Sequence, residues 1–348
     1  MTTEFDNHVR ELVAWHFDAA TGSPFWLAKR DSLGFDPLND IRDANDLRRF
    51  PDVSAELRDV PAQQLIPRGL SDRTFRVYDS GGTTGAPKRV VDSAYRSRML
   101  EWAQRRLVAQ GVPETGNWLH LGPTGPHVIG FDVSRYAALG EGIFYTVDLD
   151  PRWVKRLLAT GRGDLADEYV QHLLDQAETV LRSQDVAVLS TTPPLLEAIC
   201  ARSELYDLVR TKVRAIIWAG TSISAESLRM LKEVFFDGTA VIGIYGNSLM
   251  GVAPQRPSLA DDTFPCVFEP FPATTRLELV DEQGDLVEYG ERGRVRLHLV
   301  SDEMFLPNIL ERDSAVRIAP AVAGGPDGVA DVQTYTRIGD VAVIEGVY

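Results

Sequence analysis

Cysteine is scarce: Cys200 and Cys266 are the two in 348 residues. They have no metal-ligand spacing and no set of partners. That argues against a disulfide scaffold or a cysteine-rich metal site and predicts two core or half-buried thiols in a reducing compartment. Positive charge is also in deficit. The 36 Lys and Arg residues face 50 Asp and Glu, a formal net charge of −14. A general nucleic-acid or acidic-membrane binder is disfavoured, because affinity for a phosphate backbone needs a concentrated basic face. A local anion site stays compatible with this balance. No uncharged run approaches the roughly 20 residues needed to span a bilayer. The opening MTTEFDNHVRELVAWHF is too acidic and too interrupted for a signal peptide. These absences predict a cytoplasmic protein with no nucleic-acid or membrane partner, and they leave its oligomeric state open.

What is present is enough apolar residue, 44%, to bury a large core in one large domain or two ordinary ones. Residues 1–75 mix helical segments with Pro/Asp-rich connections such as FDPLND and RRFPDVS, and read as an N-terminal helical subregion. Residues 76–264 read as an α/β core. It begins with the strand FRVYD, a glycine loop, and a helix in LEWAQRRLVAQG whose Leu100, Ala103, Leu107 and Val108 share a face. That order predicts a strand-to-helix setting for the loop. DLADEYVQHLLDQAETVLRS reads as a surface helix, with Leu165, Tyr169, Leu173, Ala177 and Val180 on one face and Asp164 as its N-cap.

Then VAVLS, TTPPLLEAICAR, VRAIIWAG, SAESLRMLKEVFF and AVIGIYG alternate strand and helix, the pattern of a parallel sheet covered by helices. Ligands of such sheets gather beyond the carboxyl ends of the strands. Here those ends are AGTS (Ala219 to Ser222) and YGNS (Tyr245 to Ser248), expected to line one crevice. Residues 265–335 change to short strands with EQGD as a hairpin turn, a small β-subdomain. Residues 336–348 read as a hinge-like C-terminal strand.

The stretch VYDSGGTTGAPKRVV carries the densest chemistry. Successive backbone N–H groups of a glycine-rich loop can face one point, and adjacent hydroxyls add donors. Gly81, Gly82, Thr83, Thr84 and Gly85 therefore suit phosphate oxygens, and Lys88 supplies a positive charge. Alone, such a cluster reads more simply as a flexible surface turn, and its neighbours decide the matter. It is not the P-loop of kinases and GTPases, since a proline precedes the lysine and the G-x-x-x-x-G-K-[ST] spacing is missing.

SGGTTGAPK (Ser80 to Lys88) resembles the phosphate loop of the adenylate-forming acyl ligases, the superfamily of acyl-CoA synthetases, peptide-synthetase adenylation domains and luciferases, whose usual form is SGTTG-x-PK. Three further stretches resemble family motifs in the right order. WAGTSIS (Trp218 to Ser224) is similar to the strand end beside the sugar and adenine. IYGNS (Ile244 to Ser248) is similar to the aromatic-Gly-x-Thr motif, and GERGRVRLHL (Gly290 to Leu299) to the GE-x-GE-L hairpin. The resemblance runs from about residue 75 to the end of the chain, and its compact spacing is most similar to phenylacetate-CoA ligases.

The resemblance implies an α/β fold: a large adenylating N-terminal domain with parallel or mixed sheets covered by helices, plus a small β-subdomain. It implies ATP-dependent activation of a carboxylic acid to an acyl-adenylate with release of pyrophosphate, then transfer to CoA, a carrier-protein thiol or an amine. Thr83, Thr84 and Lys88 would handle the ATP phosphates and Ser248 the α-phosphate. The Tyr245 ring would stack on adenine, within a nucleotide site formed by Gly81, Gly82, Gly85, Gly220, Thr221, Ser222, Gly246 and Asn247. Two aspartates compete for the ribose hydroxyls. Asp313, in LPNILERDSAVRI, is preferred, and Asp340, in TRIGDVAVIEGVY, is assigned to the hinge. His127, Phe131 and Trp218 are candidate lining of an apolar or aromatic acid pocket, while His120 and His127 are equally readable as structural histidines.

Two departures from the family pattern stand out. Leu249 occupies the position of a glutamate that helps hold Mg²⁺, and leucine cannot ligate a hard cation that wants oxygen. ATP and Mg²⁺ are the expected cofactors, the Mg²⁺ entering bound to ATP with water and Ser248 around it and held more weakly or in a different arrangement, and no protein metal ligands are assigned. The family continues beyond the hinge into a small domain whose lysine stabilises charge during adenylation. The expectation is an adenylating portion without that domain, with a separate lid domain among its candidate partners. The rival expectation is a degenerate accessory protein that binds a nucleotide or acyl-adenylate without turnover.

Overall fold

Near-continuous burial along several short apolar strands places them inside a sheet covered on both faces. The computed structural model describes residues 4–80 and 86–335. In chain order the strands are β1 (Arg76–Asp79), β2 (Arg89–Asp92), β3 (Trp118–Gly122), β4 (Phe144–Asp148), β5 (Val188–Thr191), β6 (Ala215–Ala219) and β7 (Ala240–Asn247). They continue with β8 (Gly251–Pro254), β9 (Val267–Phe268), β10 (Thr275–Val280), β11 (Arg292–Val300), β12 (Phe305–Ile318) and β13 (Gly328–Thr334). Two compact units result. One takes the residues up to 99, 248–251 and 269–335, and the other takes 100–247 and 252–268.

The second unit is built on a six-stranded sheet in the order β4-β3-β5-β6-β7-β8. The strands from β4 to β7 pair in parallel. Every residue of β3 and β5 is buried, as are Ile216, Ile217, Val241 and Ile242 in the neighbouring strands. Helices connect the strands. Two of them, Pro151–Ala159 and Pro193–Cys200, begin on proline, whose missing N–H costs nothing in the first turn. The Asp150 side chain accepts from the Arg152 and Trp153 N–H groups, and the Ser224 hydroxyl accepts from the Ser227 N–H before the Ala225–Met230 helix.

The Gly163–Ser183 helix corrects one expectation. Its cap position is Arg162, without a side-chain hydrogen bond, and Asp164 lies in the first turn. Glycine at 163 still accepts helical geometry, so the helix starts earlier than the cap pattern suggests. Leu173 and Ala177 form its buried stripe together with Ala166, Leu174 and Leu181. After β4 the chain crosses back to the far side of β3 to make β5, so the strand order reverses between β3 and β5. Such reversals are where open α/β sheets part at their carboxyl edge and admit ligands.

In the first unit, β1 and β2 form an antiparallel hairpin with Arg76 opposite Asp92 and Asp79 opposite Arg89. The glycine loop is therefore a strand-to-strand connection and not the expected strand-to-helix one. RVVD pairs with RVYD before the Tyr95–Val108 helix begins. The strands β10, β11, β12 and β13 make consecutive antiparallel pairs. The EQGD turn closes with the Asp281 N–H donating to the Asp285 carbonyl at 2.9 Å.

The N-terminal helices share a core with this sheet. Phe17, Trp26 and Phe50 all meet Phe305 edge-on at centroid distances of 5.2–6.1 Å. The Trp26 indole also donates to the Phe305 carbonyl. Glu303, fully buried, accepts from the backbone N–H groups of Ser93, Ala94 and Tyr95 at 2.7, 2.7 and 3.1 Å. It thereby satisfies the orphan donors where the Tyr95–Val108 helix starts. No helix among the described residues is long and apolar enough to cross a membrane.

Candidate active site

In the first unit the hairpin closes the mouth of the glycine loop. The Ser80 N–H donates to the Lys88 carbonyl and the Lys88 N–H to the Ser80 hydroxyl, both at 2.8 Å. The Ser248 hydroxyl donates to the Asp79 carbonyl at 3.2 Å. This bond joins two motifs that lie 169 residues apart. Gly81, Gly82, Thr83, Thr84 and Gly85 fall outside the described residues. Because the loop joins two strands, no helix dipole is aligned on it by sequence continuity. Lys88 carries positive charge at the base of the loop, and Arg58 and Arg312 are close enough to act on it.

Lys88 is half-buried. Burial holds its ammonium below the usual lysine range, while the carboxylates of Glu311 and Asp52 oppose that shift. A cation in this setting carries a desolvation cost that an anionic ligand would relieve. Glu311 and Asp52 were not singled out in sequence, because a carboxylate near a lysine in space leaves no local pattern. The signal available was only that Glu311 lies two residues before Asp313. Asp313 sits half-buried in β12 opposite Thr334 of β13. Asp340, its rival for ribose, lies outside the described residues.

In the second unit the carboxyl ends of β6 and β7 stand side by side, Ala219 being paired with Ile244 just before Tyr245. Gly220 follows with φ +91°, a left-handed turn that glycine enters without strain. It leads Thr221 and Ser222 out of the sheet. Trp218 pairs with Gly243, and its indole lies over that glycine: a Cβ there would be 2.5 Å from Cζ2. Phe268 meets Trp218 edge-on at 6.1 Å and Tyr245 at 6.1 Å. The Tyr245 ring is half-buried, Asn247 is half-buried and Gly246 is exposed. Tyr245 can thus offer a partly open aromatic face at a strand's carboxyl end.

His127 occupies the cap position of the Val128–Leu139 helix without a side-chain capping bond, and Phe131 is half-buried in the first turns of that helix. His120 is fully accounted for by structure. Its Nδ1 meets the Ser190 hydroxyl at 3.2 Å and its Nε2 the Pro123 carbonyl at 3.1 Å, and burial lowers its pKa to about 4. It is a neutral core imidazole. The two thiols are also quiet: burial raises Cys200 and Cys266 to about 11, which keeps both protonated.

The residues do not fit a protein-held Mg²⁺. Leu249 is buried hydrocarbon, and no group of three or more His, Cys, Asp or Glu among the described residues could hold a metal ion.

No protein-family model and no curated protein matches the chain in sequence. In structure it is similar to 2-hydroxyisobutyryl-CoA ligase, solved in an open conformation with 2-HIB-AMP and CoA. The TM-score is 0.61 at 15% identity, over 97% of this chain and 75% of that one. It is likewise similar to the thioesterification state of that ligase, with a TM-score of 0.60 at 14% identity over 95% of this chain and 67% of the other. An ATP-bound RpMatB-BxBclM chimera gives 0.50 at 16% identity over 77% and 49% of the two chains. The fold is the one shared with 2-hydroxyisobutyryl-CoA ligase: a helix-covered parallel sheet together with antiparallel strands.

Proposed function

We propose that the protein activates a carboxylic acid with ATP, forming an acyl-adenylate and releasing pyrophosphate, and then passes the acyl group to CoA, a carrier thiol or an amine, in the manner of phenylacetate-CoA ligases. Fold alone does not carry an activity. The observation that supports this one is the Ser248–Asp79 hydrogen bond within the first unit, which holds the Ser248 hydroxyl at the residue preceding Ser80, itself bonded to Lys88. The ligases of like fold support it, since one is seen with 2-HIB-AMP and CoA and a chimera with ATP.

In this reading Thr83, Thr84 and Lys88 hold the β- and γ-phosphates, and the Ser248 hydroxyl turns from the Asp79 carbonyl to donate to the α-phosphate. Tyr245 stacks on adenine beside the Gly220–Ser222 turn, and Asp313 accepts the ribose hydroxyls. A carboxylate oxygen of the acid attacks the α-phosphorus, the bond to the bridging oxygen breaks, and that electron pair leaves with pyrophosphate. No side chain serves as nucleophile. The chain positions the reactants and stabilises charge. A cytoplasmic location suits the two free thiols.

A second reading, a nucleotide- or acyl-adenylate-binding accessory protein without turnover, is favoured by the buried Leu249. Acid-dependent ATP–pyrophosphate exchange with pooled carboxylic acids separates the two. Exchange above background supports the ligase. Background exchange together with measurable ATP binding supports the accessory protein. Unchanged ATP affinity in folded Lys88→Ala and Tyr245→Ala variants would reject the placement of the nucleotide.

A further inference from the structure

Among the described residues, Thr191 Oγ1, Trp218 Nε1 and Thr221 Oγ1 are buried atoms with no hydrogen-bond partner. All three belong to the carboxyl edge of the parallel sheet. Thr191 ends β5, Trp218 is the penultimate residue of β6, and Thr221 lies in the turn that follows. Thr191 and Trp218 are register partners, so their side chains leave the same face of the sheet. They are only 3% and 5% exposed, so bulk water does not satisfy them. One step earlier in β5, Ser190 pairs with His120 of the neighbouring β3 and both groups are satisfied. Polar groups inside this sheet are therefore matched where they serve the fold, and left unmatched at the edge where open α/β sheets take ligands.

The local chemistry limits what would match them. An indole N–H only donates, and a threonine hydroxyl both donates and accepts. The Trp218 ring edge bearing the N–H lies over Gly243, where a Cβ would be 2.9 Å from Cε2, and Phe268 and Tyr245 complete an aromatic surround. A hydrocarbon ligand beside these groups leaves them unsatisfied. One with an oxygen acceptor set in an apolar frame satisfies them. Thr221, in the Gly220–Ser222 turn, falls to the nucleotide in the reading above, which leaves the Trp218 and Thr191 groups for the acid.

We infer that the acid taken by this protein carries an oxygen function on its tail, a hydroxyl, carbonyl or ether oxygen, recognised by the Trp218 indole N–H and the Thr191 hydroxyl. This rests on the acid-activating reading and narrows it: an aromatic acid with a polar ring substituent fits, and a plain hydrocarbon acid does not.

The test is ATP–pyrophosphate exchange by the full chain with acids matched except for one oxygen, such as phenylacetate against its ring-hydroxylated and ring-methoxylated analogues and hexanoate against its hydroxy analogues. The best oxygenated acid should exceed its parent in kcat/KM by about tenfold or more, because a site with buried polar groups rejects the analogue that leaves them unpaired. Thr191→Val and Trp218→Phe should each shrink that ratio to about threefold or less, with the KM for ATP unchanged. In the free protein Thr191→Val should leave the unfolding temperature unchanged or raise it. A fall of more than about 3 °C would mean that the hydroxyl already has a partner, and would reject the inference. Equal use of parent and oxygenated acids overturns the inference alone. Variants that weaken ATP binding but keep the ratio assign the groups to the nucleotide and overturn it too. No exchange with any acid removes the acid-activating reading, and this inference with it.

Discussion

Glu303 in the first unit and the Thr191–Trp218 pair in the second are comparably buried and oppositely treated. The carboxylate of Glu303 is taken up by three backbone N–H groups, with the Arg73 guanidinium at 3.4 Å. The hydroxyl of Thr191 and the indole N–H of Trp218 have no partner among the described residues. A buried polar group that is matched fixes the chain around it, whereas an unmatched one stores a cost that only a ligand or water can recover. Burial therefore does not separate structural from functional polar groups. Their hydrogen-bond accounts do.

Removing the matched carboxylate should have the largest effect. Glu303→Ala leaves the N–H groups of Ser93, Ala94 and Tyr95 without their acceptor, and by the scale of broken buried charge pairs should cost about 3–5 kcal/mol in urea denaturation. A loss below about 1 kcal/mol would erase the contrast. Next come the buried histidines. Burial lowers His16 to about 4, against the Ser301 carbonyl and the charge of Asp302, and lowers His120 to about 4 as well. An unfolded histidine protonates near 6.5, so between about pH 6.5 and pH 4 the unfolded chain binds more protons. The stability held by keeping each imidazole neutral is complete above that window. It is lost as pH falls through it, by up to about 3 kcal/mol per histidine. Denaturation at pH 7 and pH 4.5 measures the fall, and His120→Gln should reduce it.

Lys88 stands between the two cases, partly desolvated and only partly compensated by Glu311 and Asp52. Lys88→Ala should weaken ATP binding by calorimetry roughly tenfold to a hundredfold, the scale of a hydrogen bond to a charged group, with little change in stability. A destabilised variant with full ATP affinity would move Lys88 to the structural side. Thr191→Val should have the smallest effect in the free protein, within about 0.5 kcal/mol of wild type, because it removes a hydroxyl that bonds nothing.

Much of the second unit was legible locally. β5, β6 and β7 read as short apolar runs, and the Pro193–Cys200 and Ala225–Met230 helices announced themselves by proline and serine at their starts. The glycine loop was misplaced, because RVVD is only four residues long and abuts a helix. Its pairing with RVYD decides that it is a strand, and a single short run cannot declare its partner. The cap pattern at Asp164 misleads because a glycine at 163 carries no sign that the helix has already begun. In the candidate site, Lys88, Tyr245 and Ser248 could be named from motifs. Glu311 and Asp52 could not, since their role comes from proximity to Lys88.

By itself the sequence determined the alternating strands and helices, the phosphate-suited loop and the leucine where a metal-binding acid would be expected, since each is written in the order of neighbouring residues. Only the tertiary structure decided that Ser248 reaches Asp79, that Glu303 closes the start of a helix more than 200 residues earlier, and that Thr191 and Trp218 are left without partners among the described residues. Hydrogen-bond satisfaction depends on which strands lie side by side, and strand order is fixed by packing of the whole chain rather than by any one stretch of it.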